Sequence, residues 1–244
     1  MASREAGFRR RILIEPAPGR VVAELEDDYH RMVVTLEHEG GVVSRVSSEM
    51  KRGPWTTCPG AMAQLEQTFA DVSLAEFVRR GGKAQNCTHL YDLAIFGAAH
   101  ADDRAAVAYD IFVTDPVDGK RDAKLWRDGA LVLHWVMEGD RFLAPAALAG
   151  RTMKDLGDWI AAQDKTGAEA GRILRWACIL AYGRAMDMPA GLSATAFPGA
   201  SCYTFQPERA QVATRRPGAD IDFSQPGFEP LADRHKAFSF GQNA

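Results

Sequence analysis

The sequence is poor in several things that would have narrowed its function at once. Only four cysteines occur in 244 residues, Cys58, Cys87, Cys178 and Cys202, and none forms the short pairs of a zinc ribbon or a redox CxxC motif. A disulfide framework is therefore not what holds this chain together. Charge of one sign is also missing: 29 Lys and Arg stand against 32 Asp and Glu, a net charge of −3 and a pI near 6.1. Without a basic excess there is no surface to displace counterions from a polyanion, which argues against a nucleic-acid partner. No stretch approaches the roughly 18–20 uninterrupted apolar residues that cross a bilayer, and the first residues, MASREAGFRRR, lead into a strand rather than an apolar leader. A membrane partner is excluded on that reading, and a cytoplasmic location with free thiols is the expectation. GxGxxG, P-loop and GxSxG motifs are absent in strand-turn-helix settings, so nucleotide cofactors and serine-hydrolase chemistry are unsupported.

What is present is an ordinary globular composition, 46% hydrophobic and 25% charged. A chain this long buries roughly 70–75% of its unfolded surface and needs no staple. Valine-rich alternation over residues 10–52 predicts an antiparallel meander, with Glu26–His38 read as one continuous strand. PWTTCPGAMAQLEQTF predicts a helix with Pro59 in its first turn. SLAEFVRRGG predicts a short one capped by Ser73, and QNCTHLYDLAIFGAAHADD a buried helix capped by Asn86. A second block of strands starts at Arg104 and includes a hairpin closed by Asp128-Gly129. That turn is expected to pair Trp126 with Leu131, Lys124 with Leu133 and Asp122 with Trp135, which puts Lys124 on a face with tryptophans. Two amphipathic helices follow, RTMKDLGDWIAAQ and AEAGRILRWACILAYGRAM.

Together these predict an α+β fold, with antiparallel strands in two blocks packed around a buried helix and helices following the second block. The predicted organisation is a domain over residues 1–188 and an irregular arm over 189–244. That arm is rich in glycine and proline yet carries Phe197, Tyr203, Phe205, Phe223, Phe228, Phe238 and Phe240. Such an aromatic load predicts an arm that packs, on its own domain or on a neighbouring subunit.

Side-chain parity picks out the candidate site. On a continuous strand Asp28 and His30 share the inner face with Met32, Val34 and Leu36, and Arg52 on the next strand falls opposite Asp28 or His30 according to register. Inward Asp, His and Arg at one sheet end form either a pocket floor or a structural ion pair. Trp55 beside Arg52 would suit a planar anionic or phenolic ligand, or simply be core. The helix start at Asn86-Cys87-Thr88-His89 supplies a second group. Unpaired N–H groups there would favour thiolate at Cys87 and a neutral, proton-accepting His89, while a space-filling thiol is the plainer alternative. Tyr91 follows Cys87 one helical turn on, and Cys58 lies at the other helix start. His30, Cys58, Cys87, His89 and Asp92 include enough ligand types for zinc, but only the fold could assemble them, and the metal-free reading is preferred.

The stretches DDYHRMVVTLEHEGGVVSRVSSEMKRGPWTTCPGA and NCTHLYDLAIFGAAHA resemble a bacterial domain-of-unknown-function family, number 2889. The resemblance covers roughly the first hundred residues and marks His30, Arg52, Trp55, Cys58, Cys87, Thr88 and His89. Members of that family occur beside genes for aromatic-compound breakdown, which implies an enzyme of that kind. The resulting expectation is a cofactor-independent lyase on a small phenylpropanoid or lignin-derived aromatic, losing formaldehyde in one concrete form. In it His30 and His89 serve as base and acid, Arg52 holds an oxyanion, Asp28 orients His30, and Trp55, Cys58, Cys87 and Tyr91 line the substrate. No metal is assigned, and self-association into a homo-oligomer is expected. The rival readings are a non-catalytic binder of a phenolic or acyl ligand and a metal-dependent hydrolase.

Overall fold

Branched and aromatic residues in alternation build the strands, and glycine at left-handed positions turns them. The computed structural model describes residues 4–197 and 199–234, and Phe238 and Phe240 of the predicted arm lie outside that range. Its first four strands are β1 (Gly7–Ala17), β2 (Arg20–Asp27), β3 (Arg31–Glu39) and β4 (Val42–Arg52). Gly40 and Gly41, with φ of 56° and 80°, make the two-residue turn between β3 and β4. Five α-helices occur among the described residues, besides short 3-10 turns: α1 (Ala61–Phe69), α2 (Thr88–Ala99), α3 (Leu156–Ala161), α4 (Lys165–Ala181) and the single turn α5 (Pro207–Ala210). The remaining strands are β5 (Val107–Thr114), β6 (Lys120–Arg127), β7 (Ala130–Glu138) and β8 (Arg141–Ala144). The fold class is thus α+β, with antiparallel strand pairs.

These elements form two compact units. One consists of Ile12–Val107 and Met188–Ile221, with strand order β4-β3-β2-β1. The other contains β5 to β8, α3, α4 and the described residues of both chain ends, with order β1-β5-β6-β7-β8; Gly7–Arg11 of β1 belongs to this unit and the rest of the strand to the first. The chain does pass between units at Asp187/Met188, beside the expected boundary at 188, but residues 1–188 are themselves divided between the two units and the arm forms no unit of its own. Met188–Ile221 belongs with the first unit because its apolar groups are buried there: Phe197 and Phe205 meet Trp55 edge-on at 5.7 and 5.5 Å, in a cluster with Cys58, Ala194, Ala210 and Ala213. The arm therefore packs on its own domain through residues 199–221 and neighbours, while Phe223 is buried in the other unit and Phe228 is exposed.

Two predicted registers need correction. The segment read as one strand from Glu26 to His38 is broken: β2 ends at Asp27, β3 starts at Arg31, and the backbone N–H of Asp27 donates to the carbonyl of His30 at 2.9 Å across a tight turn. In the second hairpin the Asp128-Gly129 turn is left-handed at both residues, with φ of 50° and 82°, and Trp126 does pair with Leu131. An irregularity between Leu125 and Trp126 then shifts the ladder, so Lys124 pairs with His134 and Ala123 with Trp135. Lys124 thereby loses Trp135, which is fully buried on the opposite face with Ala123 and Leu125, but keeps Trp126, two residues along β6, on its own half-buried face.

In the first unit the even positions of β3, Met32, Val34 and Leu36, are buried under α2, which packs on β2 and β3. Gly97 allows close approach, since a Cβ there would already touch Leu36, Val21 and Ala23 at 3.5–3.8 Å. Seven of the helix's residues are buried, His89 among them. The helix starts at Cys87 with no side-chain cap, because the predicted cap Asn86 turns its amide to Thr68 Oγ1 and the Gly82 carbonyl, each at 2.9 Å.

Candidate functional site

Two adjacent acidic residues between valine-rich strands make a turn rather than more strand. Asp27 Oδ1 accepts from the backbone N–H groups of Tyr29 and His30, both at 2.8 Å, the local bonding by which aspartate competes with a ladder. The same oxygen lies 3.0 Å from His30 Nδ1. The carboxylate that meets His30 therefore belongs to Asp27. Parity pointed to Asp28, but parity has no meaning inside a turn. Asp28 is buried, and its carbonyl accepts from Arg52 at 2.9 Å and from the Ile221 N–H at 2.8 Å.

Arg52 is the clamp on this turn. The β3–β4 ladder pairs Met32 with Met50 and then slips by a residue, so Arg52 faces Arg31 and its guanidinium reaches past the strand end. Its Nη2 donates to the Asp27 carbonyl at 2.7 Å and to Glu26 Oε1 at 3.2 Å, and its Nη1 reaches the Ala219 carbonyl at 3.1 Å. This geometry makes Arg52 a positioning group for the turn, in place of the expected oxyanion holder.

His89 is the second residue of α2, and its ring lies on that of His30 with centroids 3.7 Å apart and planes 28° off parallel. Asp27, His30 and His89 are 0%, 7% and 5% exposed, and one ligand-type atom from each falls within 4.8 Å of the others. Two elements far apart in sequence, the β2–β3 turn and the start of α2, are thus brought to one point. The arm braces both: the Tyr203 N–H donates to the Asn86 carbonyl at 2.8 Å, just before α2, while Ala219 and Ile221 hold the turn. Arg215, also from the arm, sits 5.7 Å from the Tyr29 ring and 5.6 Å from the Trp55 ring and is bonded to Asp220.

The other predicted residues are placed around this point with less direct roles. Cys87 Sγ contacts Met32 Sδ at 3.9 Å and lies 4.0 Å from His89 Nδ1. Burial pushes its thiol far up, which overturns the expected thiolate: desolvation at this site outweighs the N–H groups of the helix start. Cys58, 3.5 Å from Thr204 Oγ1, is likewise raised by burial and belongs to the Trp55 cluster. Trp55 is core, covered by arm phenylalanines. Tyr91 points to Phe69, 5.2 Å between centroids, with its hydroxyl 3.4 Å from the Gly81 carbonyl. A cleft of about 390 Å³ lies at the other end of α2, between Pro16–Gly19, His38 and Ala101–Arg104, about 18 Å along a twelve-residue helix from His89.

Asp27, Tyr29 and Arg215 escaped the sequence reading. The signal for the first two was the DDYH tetrapeptide, whose paired acids interrupt the valine alternation as turn residues do. Arg215 carried no local signal. Compared with models of known families and with curated proteins, the chain matches none. Among the described residues, no helix is long and apolar enough to cross a membrane.

Proposed function

We propose that the Asp27–His30–His89 cluster is the reaction centre of a lyase that acts by proton transfer on a small aromatic compound of the phenylpropanoid or lignin-derived type. The observation that carries the proposal is the bond between Asp27 and His30 Nδ1 with the His89 ring stacked alongside. A proton held on Nδ1 by a carboxylate leaves the lone pair at Nε2, the arrangement of an oriented general base. Two imidazolium rings in face contact repel, which favours one ring as base and the other as acid.

In the formaldehyde-releasing form of the reaction His30 accepts the proton of a primary hydroxyl. The C–O bond becomes the carbonyl of formaldehyde as the adjacent C–C bond breaks, and the electron pair passes to the carbon next to the ring. His89 protonates that carbon. Arg52 and Asp27 keep the turn and the His30 ring in place, and Tyr29 and Arg215 border the centre. The aromatic class rests on the motif resemblance read from the first hundred residues alone. The same reading includes a homo-oligomer working in the cytoplasm. Both imidazoles are buried, so this reading requires the site to open to its substrate.

The test is a screen of lignin-type monomers and dimers bearing a hydroxymethyl group, with products followed by mass spectrometry and formaldehyde trapped by a carbonyl reagent. At least one member should lose formaldehyde in proportion to protein concentration. No turnover across the panel, with the same compounds merely bound, would replace the lyase by the binding-protein reading.

A further inference from the structure

Two imidazoles and one carboxylate, all more than nine-tenths buried and converging from two elements, form a donor set with a second chemical capacity. We propose that Asp27, His30 and His89 bind a single divalent transition-metal ion of the zinc class. The donor atoms lie within 4.8 Å of one another. Bonds of about 2.0–2.2 Å at a tetrahedral centre need donors about 3.3–3.5 Å apart, so binding draws the three donors in by about an ångström and turns the two imidazoles out of their face-to-face stack, bringing a nitrogen lone pair of each ring onto the ion. The combination of two histidines and one carboxylate is hard enough for zinc, cobalt or iron(II) and too rich in nitrogen for calcium or magnesium.

The surroundings fit a cation. Glu26 and Asp28 are buried beside Asp27, and Glu26 is shared between Arg52 at 3.2 Å and Arg31 at 3.9 Å. Asp27 Oδ1 already gathers two backbone N–H groups and His30 Nδ1, which fixes the carboxylate before any ion arrives. An ion, unlike an aromatic substrate, needs no cavity of molecular size, and the burial of the three residues is then no obstacle. The proposal concerns the site read above as the reaction centre. Ion and proton compete for the same imidazole nitrogens, so the metal-loaded and proton-transferring forms are alternative states of it.

The experiment uses tag-free full-length protein stripped with EDTA and titrated with Co²⁺, followed by its visible d–d absorption. The expected result is saturation at one equivalent. His30→Gln and His89→Gln should each weaken binding by about a hundredfold or more and Asp27→Asn by about tenfold or more, whereas His134→Gln, an exposed histidine on β7, should leave it unchanged. In the unsubstituted protein, paramagnetic broadening should centre on the amides of residues 27–30 and 88–90, a readout that does not depend on any variant folding. Absence of saturable binding, undiminished binding in both histidine variants, or broadening centred on His100 or His134 would overturn the proposal. All readouts are taken without substrate, so their failure leaves the lyase reading standing, and a failed turnover screen leaves the metal site standing.

Discussion

Asp27 and Asp28 are neighbours of the same chemistry, and their different places show what a single residue can and cannot reveal. The carboxylate of Asp27 caps the turn and meets His30, while the Asp28 carbonyl anchors Arg52 and Ile221. A sequence shows that acids interrupt the strand; which of the two faces the histidine depends on where the turn closes, and that is settled by the hydrogen bonds of the fold. His30, His89 and Arg52 were legible because their residue types are costly to bury and they sit beside apolar periodicity. The cysteines mislead for the converse reason. A helix start favours thiolate only where water can reach it, and burial was not visible in the sequence. Cys87 and Cys58 are raised by desolvation first, and Cys178, fully buried in α4, is pushed up to about 12. In folded protein near pH 8, therefore, Cys58, Cys87 and Cys178 should resist a disulfide thiol reagent over hours, with half-buried Cys202 the first to react. All four should titrate at once in denaturant. Fast labelling of Cys87 in the native state, located by peptide mass spectrometry, would contradict the burial argument.

At the scale of elements, strand and helix positions followed from periodicity, and errors gathered where a bulge or turn breaks it. The β6–β7 hairpin turn was readable from Asp128-Gly129, since that dipeptide accepts two left-handed residues, but the slip two residue pairs further along was not. Short loops carry their own electrostatics. Burial raises the Asp222 carboxyl, but hydrogen bonds outweigh it: Ser224 donates through Oγ at 2.5 Å and through its backbone N–H at 2.9 Å, Gln225 Nε2 approaches at 3.2 Å, and Arg184 lies nearby. The net result is a pKa lowered to about 2 from an ordinary 3.8. A carboxyl depressed in the folded state contributes stability that is complete above its unfolded pKa and is lost as pH falls through the folded one. The native protein should then exceed Asp222→Asn in stability at pH 6, with the gap closing between pH 4 and about 2. Denaturant titrations of both proteins across that range provide the check, and a gap that widens toward low pH would refute the assignment. Because the group is partly exposed, the gap should be modest.

For the whole molecule, what could not be read was long-range closure. The chain leaves the first unit at Val107 and comes back at Met188, and the returning segment buries Trp55, steadies the start of α2 through Tyr203 and closes the 27–30 turn through Ala219 and Ile221. Aromatic content signalled that the arm packs; its target emerged only from complementary surfaces distant in sequence. The site is therefore a property of three segments held together, the β2–β3 turn, the head of α2 and the returning arm, and its chemistry depends on the two stacked imidazoles they enclose. The most direct test is the turnover rate of a substrate identified by the screen, compared among the native protein, His30→Gln and His89→Gln, with thermal melts showing each variant folded. Proton-transfer roles predict a loss of about 10²–10⁴-fold in each variant. Native rates in both folded variants would contradict the claim that these histidines form the reaction centre.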